Sequence, residues 1–282
     1  MIIAIDSSNE DLAGAIVYWR LTGDVNGDDL NNALTDAGIA PEHRLPLPTP
    51  RRALRRTLKE CAKGSVFMRA GKGKDGGLYL VEQVTTDEGP RFDVILDARL
   101  TIGGTPKFSN EDMAEMLTER FWHHVFHVAS TDISSWLIDQ ARECDALSLR
   151  DTGGVYFIPR HAIDEWRKRA DALHSASDCS VHLVPAMNSD EALDAVLEAL
   201  IEECVQFSEQ LDADLTDGDL GARALRGRAE QAMAYLDKVA RFEKLLGAAA
   251  EGKLDALRSQ IEEQKANAVS AALTIEAESE VA

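Results

Sequence analysis

The amino-acid sequence predicts a helix-rich α+β fold, and three stretches carry that prediction. Thr49–Lys74 joins a capped basic helix to a strand–loop–strand pattern. Residues 153–185 alternate short apolar strands with a helical stretch, the pattern of a small α/β layer. From Leu193 to Val239, apolar residues recur at spacings of four and three, an a/d seam with one interruption. Three successive units follow from this. They are a winged-helix-like unit over 1–108, a small α/β unit over 109–188, and a coiled-coil-like antiparallel helical hairpin with a frayed tail over 189–282.

Taken in order, residues 9–22 read as a helix. Ser8 caps it, Leu12, Ala15, Ile16 and Trp19 share a face, and Gly23 ends it. A second helix runs from about Asp28 to Ala37, with Leu30, Leu34 and Ala37 inward. Pro41, Pro46, Pro48 and Pro50 punctuate the loop to the basic helix. Thr49 is a good N-cap and Pro50 suits the first helical position. Leu54, Leu58 and Cys61 then fall on one face, and Arg51, Arg52, Arg55, Arg56, Lys59 and Lys63 cover the rest. Val66–Ala70 and Leu78–Thr85 form a hairpin around a basic loop. A third strand, Phe92–Leu96, turns Phe92, Val94 and Leu96 to one side. Three short helices before a hairpin is the order of a winged helix.

Asn110 opens a helix on which Met113, Met116, Leu117, Phe121, His124 and Val128 line a stripe, and Ser130–Asp132 is an N-cap cluster opening the next. Gly153–Pro159 is an apolar strand, 161–174 a helix around Trp166 and Ala170, and Val181–Val184 a strand closed by Pro185. The seam Leu193, Leu197, Leu200, Cys204, Phe207 and Leu211 resumes at Leu225, Ala229, Ala232, Leu236 and Val239. Of these, Leu193, Leu197, Leu200, Phe207, Leu225 and Leu236 are the candidates for holding copies of the chain together. The stretch after Ala266 is rich in Ala, Glu and Ser and reads as a fraying end.

The chain has 30 Lys and Arg against 49 Asp and Glu, a net charge of −19. Such a charge disfavours non-specific wrapping of polyanions but leaves room for one basic patch. The spacing of Cys61, Cys144, Cys179 and Cys204 suits neither a zinc ribbon nor a redox pair. The first residues lack the apolar run of a signal peptide, and no run has the length of a bilayer span. The expectation is a soluble cytoplasmic protein.

Motifs with possible chemistry are few. Asp24–Asp28 opens like a calcium loop, but Asp29 and Thr35 stand where glycine and the closing carboxylate belong, so a turn with an N-cap is the better reading. His123 and His127 have the i, i+4 spacing of a zinc pair without the glutamate of HExxH, and a packed amphipathic helix is the plainer account. Gly71–Gly77 lacks the GK[ST] of a phosphate loop and suits a hairpin tip. Gly153–Gly154 could admit a ligand to the backbone, though a turn into a buried strand explains it as well. No catalytic residue, metal or cofactor is assigned.

The segments LAGAIVYWRLTGDV at 12–25, TPRRALRRTL at 49–58 and LRDTGGVYFIP at 149–159 resemble a family of uncharacterised proteins from bacteriophages and actinobacteria. That resemblance implies a phage or mobile-element setting and assigns no residue a chemical role. The leading expectation for function is DNA binding. Arg51, Arg52, Arg55, Arg56, Lys59, Lys63 and Arg69 would contact the nucleic acid, with Lys72 and Lys74 on phosphate from the wing. The alternative is a homo-oligomeric scaffold whose basic N-terminal face docks on acidic C-terminal helices of a neighbouring copy.

Overall fold

The computed structural model describes residues 9, 11–71, 77–87, 89–150, 154–216 and 220–281. In chain order the first half holds β1 (Leu12–Arg20), β2 (Val25–Asn26), α1 (Gly27–Asp36), α2 (Pro50–Cys61), β3 (Val66–Ala70), β4 (Leu78–Thr86), β5 (Gly89–Leu100), β6 (Pro106–Phe108) and α3 (Glu111–Phe126). The second half holds β7 (His127–Val128), α4 (Ser130–Glu143), β8 (Leu147–Ser148), β9 (Val155–Pro159), α5 (Ile163–Ala176), β10 (Ser180–Met187), α6 (Asp190–Thr216), α7 (Ala222–Leu246) and α8 (Asp255–Val281). The fold is helix-rich α+β.

The compact units are two, and neither is a continuous stretch of chain. A terminal unit comprises 1–19, 138–167 and 181–282, and an inserted unit comprises 20–137 and 168–180. A helix is expected over 9–22, but residues 12–20 are a strand. Those residues form the strand β1, which pairs antiparallel with β9 from Gly14↔Pro159 to Tyr18↔Val155. Leu12, Ala13, Ala15 and Val17 are all buried, so both faces of the strand are covered. A strand of that kind shows a continuous apolar run, which a helical periodicity can imitate. The run Ile16-Val17-Tyr18-Trp19 is rich in strand formers. Gly14 is required there, since a Cβ would stand 2.3 Å from the Ile158 carbonyl oxygen.

In the terminal unit the sheet runs β10-β1-β9-β8. Leu147, Phe157, Leu197, Leu200, Phe242 and Leu246 form the main core beside it. The expected two-helix hairpin is in fact three helices. α8 packs along α7 and also touches α6, and Leu211, Ala232 and Ile261 meet in a second core. Ala268 and Ala272 are buried, so the stretch expected to fray is a packed helix. Its alanines allow close approach, which is why it carries so weak a leucine pattern.

In the inserted unit β3-β4-β5-β6 form an antiparallel meander. α2 and α3 cover one face, where Ala53, Leu54, Leu58, Leu78, Leu80, Leu96, Leu117 and Phe121 are buried together. The hairpin expected as a wing is thus half of a four-stranded sheet, and among the described residues two α-helices and a short 3-10 turn at Pro41–His43 precede it. The strand expected at Phe92–Leu96 is longer, and its alternation is broken. A bulge at Leu80/Val81 pairs Leu80 with Leu96 but Val81 with Val94. The extra residue reverses the facing of what precedes it. Leu96 stays in the core while Phe92 and Val94 turn outward.

Candidate nucleic-acid interface

α2 begins as its sequence requires. Thr49 Oγ1 accepts a hydrogen bond from the Arg52 amide at 3.3 Å, and Pro50 occupies the first position. Ala53, Leu54, Thr57 and Leu58 are buried, which leaves the opposite surface to the cations. Those cations divide into two groups. Arg52 Nη2 donates to Asp132 Oδ1 at 2.6 Å, and Arg56 Nη2 donates to Asp132 Oδ2. One carboxylate in the first turn of α4 is therefore shared by two guanidinium groups.

Arg51, Arg55 and Lys59 are exposed, and among the described residues no carboxylate lies within ion-pair distance of them. They stand at i, i+4 and i+8, a cationic ridge about 12 Å long at 1.5 Å rise per residue. Lys63, two residues past the end of α2, is also exposed. Glu60, the acidic neighbour, is engaged elsewhere, with Arg120 at 3.6 Å and His124 at 2.9 Å. Arg69 lies on β3, across the sheet from α2, with its guanidinium 6.0 Å from the centre of the Phe92 ring. Lys72 and Lys74 lie outside the described residues.

The net charge is unevenly divided. By sequence the inserted unit carries 17 Lys and Arg against 19 Asp and Glu, a net of −2. The terminal unit carries 13 against 30, a net of −17, and the two sum to the −19 of the chain. The ridge therefore sits on a nearly neutral body.

The remaining motifs resolve into local structure. Asn26 Oδ1 caps α1, accepting from the amides of Asp28 at 3.0 Å and Asp29 at 3.2 Å. His123 and His127 stack at 4.2 Å. His123 Nε2 meets Asp24 at 3.2 Å and His127 Nδ1 donates to the His123 carbonyl at 3.1 Å. Parallel rings turned to separate partners do not converge on one ion. Gly154 packs against Trp19, whose ring a Cβ would meet at 3.0 Å, and Trp19 stacks on Tyr156 at 5.3 Å. Gly153 lies outside the described residues. Of the proposed oligomer contacts, Leu197, Leu200 and Leu225 are buried within the chain's own bundle, Leu193 packs against its main core, and Phe207 and Leu236 pack on the second core.

Residues missed in sequence include Asp132 and, in the terminal unit, Asp145. Asp145 adopts φ 55° just after α4, while Ala146 N bonds back to the Ala141 carbonyl at 2.9 Å. This is the left-handed closure of a helix end, where a small polar residue is tolerated. Its carboxylate accepts two bonds of 2.7 Å from Arg241 and lies 3.3 Å from His161 Nε2. Burial pushes its pKa up, but the bonds from His161 and Arg241 outweigh that and hold it at about 2. In the same unit, Lys238 donates to Glu203 at 2.6 Å and to the Ala146 carbonyl at 2.8 Å, a buried tie between α7, α6 and the β8 segment.

A family model described as a family of unknown function (DUF6744) matches residues 12–277. The chain belongs to that family. The match runs from β1 to α8 and so covers both units of this DUF6744 chain. No curated protein and no solved structure matches it. Among the described residues no helix is long and apolar enough to cross a membrane.

Proposed function

We propose that the inserted unit binds DNA by its phosphate backbone, through Arg51, Arg55 and Lys59 on α2, with Lys63, Lys72 and Lys74 extending the contact. One observation carries the reading. Three cations stand in line on a capped, well-packed helix with no carboxylate partner among the described residues, while their neighbours Arg52 and Arg56 are paired. In so acidic a chain, uncompensated cations at regular spacing suit an external polyanion. Backbone contacts of this kind position a protein on nucleic acid without reading its sequence. Anisotropy titrations of a labelled duplex against salt test it. Log affinity should fall linearly with log salt, and Arg51→Glu/Arg55→Glu/Lys59→Glu should abolish binding. No binding of any nucleic acid by the unmodified chain at low salt overturns the proposal.

A second reading, a self-assembling scaffold, draws on one feature of α6. Asp194, Glu198 and Glu202 are exposed at the same four-residue spacing as the ridge. The same triple variant separates the two readings. Under the scaffold reading it dissociates salt-labile oligomers in sedimentation experiments.

A further inference from the structure

The face of the meander turned away from α2 and α3 carries exposed apolar side chains around Val81, which is itself buried at 8%. Phe67 on β3, Val81 on β4 and Val94 on β5 form one row across three strands, since Phe67 pairs with Val81 and Val81 with Val94. Phe92, paired with Gln83, stands in the next row. Phe67, on the edge strand β3, is 42% exposed, and Phe92 and Val94, on the interior strand β5, are 51% and 62% exposed. Arg69 is exposed and reaches over the Phe92 ring, with no carboxylate within ion-pair distance among the described residues. The bulge at Leu80/Val81 creates this surface, because it turns Phe92 and Val94 outward.

Two features decide what covers it. The first is size. With about 200 Å² for a whole phenylalanine side chain, the open parts of Phe67, Phe92 and Val94 come to roughly 300 Å². A stable protein interface takes about 800 Å² of polar and apolar surface from each partner, so these three side chains by themselves fall well short of one. The second is charge. Burying Arg69 against another apolar face would strand its guanidinium, whereas a phosphate beside stacked bases would neutralise it. Two exposed aromatic rings, with an arginine over one of them that has no carboxylate partner among the described residues, match the stacking platforms of single-strand binders. From strand spacing and rise, the backbone positions of Phe67 and Phe92 are about 12 Å apart, room for each ring to hold its own base.

We infer that this face binds single-stranded nucleic acid, with bases stacked on Phe67 and Phe92 and a phosphate on Arg69. The inference rests on the nucleic-acid reading above and deepens it, since it adds a strand form and a second contact surface on the opposite side of the sheet. The experiment uses the full chain with labelled oligothymidine, oligouridine and a duplex of equal length. Single strands should bind more tightly than the duplex. The two single-stranded probes show whether the sugar matters, and a preference between them leaves the stacking claim intact.

Phe67→Ala/Phe92→Ala should lower single-strand affinity about five- to a hundred-fold per ring. It should leave the slope of log affinity against log salt unchanged, since no phosphate contact is lost. Phe67→Leu/Phe92→Leu keeps the face apolar and should lose affinity as well, which guards against misfolding of the alanine variant. Equal binding of single strand and duplex, or no effect of either double variant, overturns this inference and leaves backbone binding by α2 standing. A dimer that the variants convert to monomer also overturns it, because the face is then an interface between copies. Failure of the unmodified chain to bind any probe removes both readings together.

Discussion

Replacing Asp132 with asparagine should strengthen nucleic-acid binding, although it removes an interaction from the folded chain. The carboxylate is shared by Arg52 and Arg56, with Asp132 21% and Arg52 55% exposed at the side chain. Asparagine keeps the shape and one acceptor oxygen but not the charge. Losing two partly exposed charge-assisted bonds and a favourable charge in the first turn of α4 should cost about 1–2 kcal/mol of stability. The effect on binding follows from counterion release. If Arg51, Arg55, Lys59 and Lys63 each neutralise one phosphate, the slope of log affinity against log salt is about −3.6, and affinity falls about 150-fold between 50 and 200 mM salt. Freeing Arg52 and Arg56 for two more contacts steepens the slope to about −5.4 and the loss to about 2,000-fold. Arg56 is the more enclosed of the two, so a change equivalent to one added phosphate is the lower expectation. The assay is anisotropy at a series of salt concentrations, with thermal denaturation as the stability control. A slope that does not steepen, in a variant that stays folded, refutes the view that Asp132 holds two potential phosphate ligands in reserve.

Three further outcomes concern the scaffold. Arg241→Ala should weaken the chain by about 1–2 kcal/mol near neutral pH, after discount for solvent around Asp145. Asp145 is held at about 2, below its ordinary 3.8, so its contribution is full above pH 4 and lost as pH falls toward 2. The difference from the unmodified chain in denaturant titrations should therefore shrink across that window, and a constant difference would mean that Asp145 is not the group involved. Gly14→Ala should cost about 3 kcal/mol or more, because the methyl would press on the Ile158 carbonyl and the Phe157 ring. Near-normal stability in that variant would contradict the pairing of β1 with β9. Ile261→Ala should cost about 2–5 kcal/mol in chemical denaturation if α8 is part of the bundle core, and almost nothing if the end of the chain frays.

Local signals were legible wherever a single element carried its own instruction. Thr49 and Pro50 start α2, Asn110 caps α3 through the Met113 amide at 3.2 Å, and the leucines of α6 and α7 mark their buried faces. The cationic residues of α2 were legible for the same reason, since a helix that buries Leu54 and Leu58 must expose Arg51 and Arg55. Asp132 was legible only as a helix start. Nothing local to residue 132 indicates that it meets arginines 76 and 80 positions earlier.

By itself, then, the sequence determined the helix-rich α+β class, the capped basic helix and the hairpin after it, because caps, turns and side-chain periodicity act within a few residues. Tertiary structure decided the rest. It made a strand of residues 12–20, whose apolar run is covered on both sides by partners far along the chain. It turned Phe92 and Val94 outward through a bulge that depends on the register with β4. It also selected Arg52 and Arg56 as the arginines of α2 that pair with Asp132, since that choice rests on a carboxylate from another helix. Long-range pairing and register leave no periodic mark in the local sequence, and the candidate interface is defined by both.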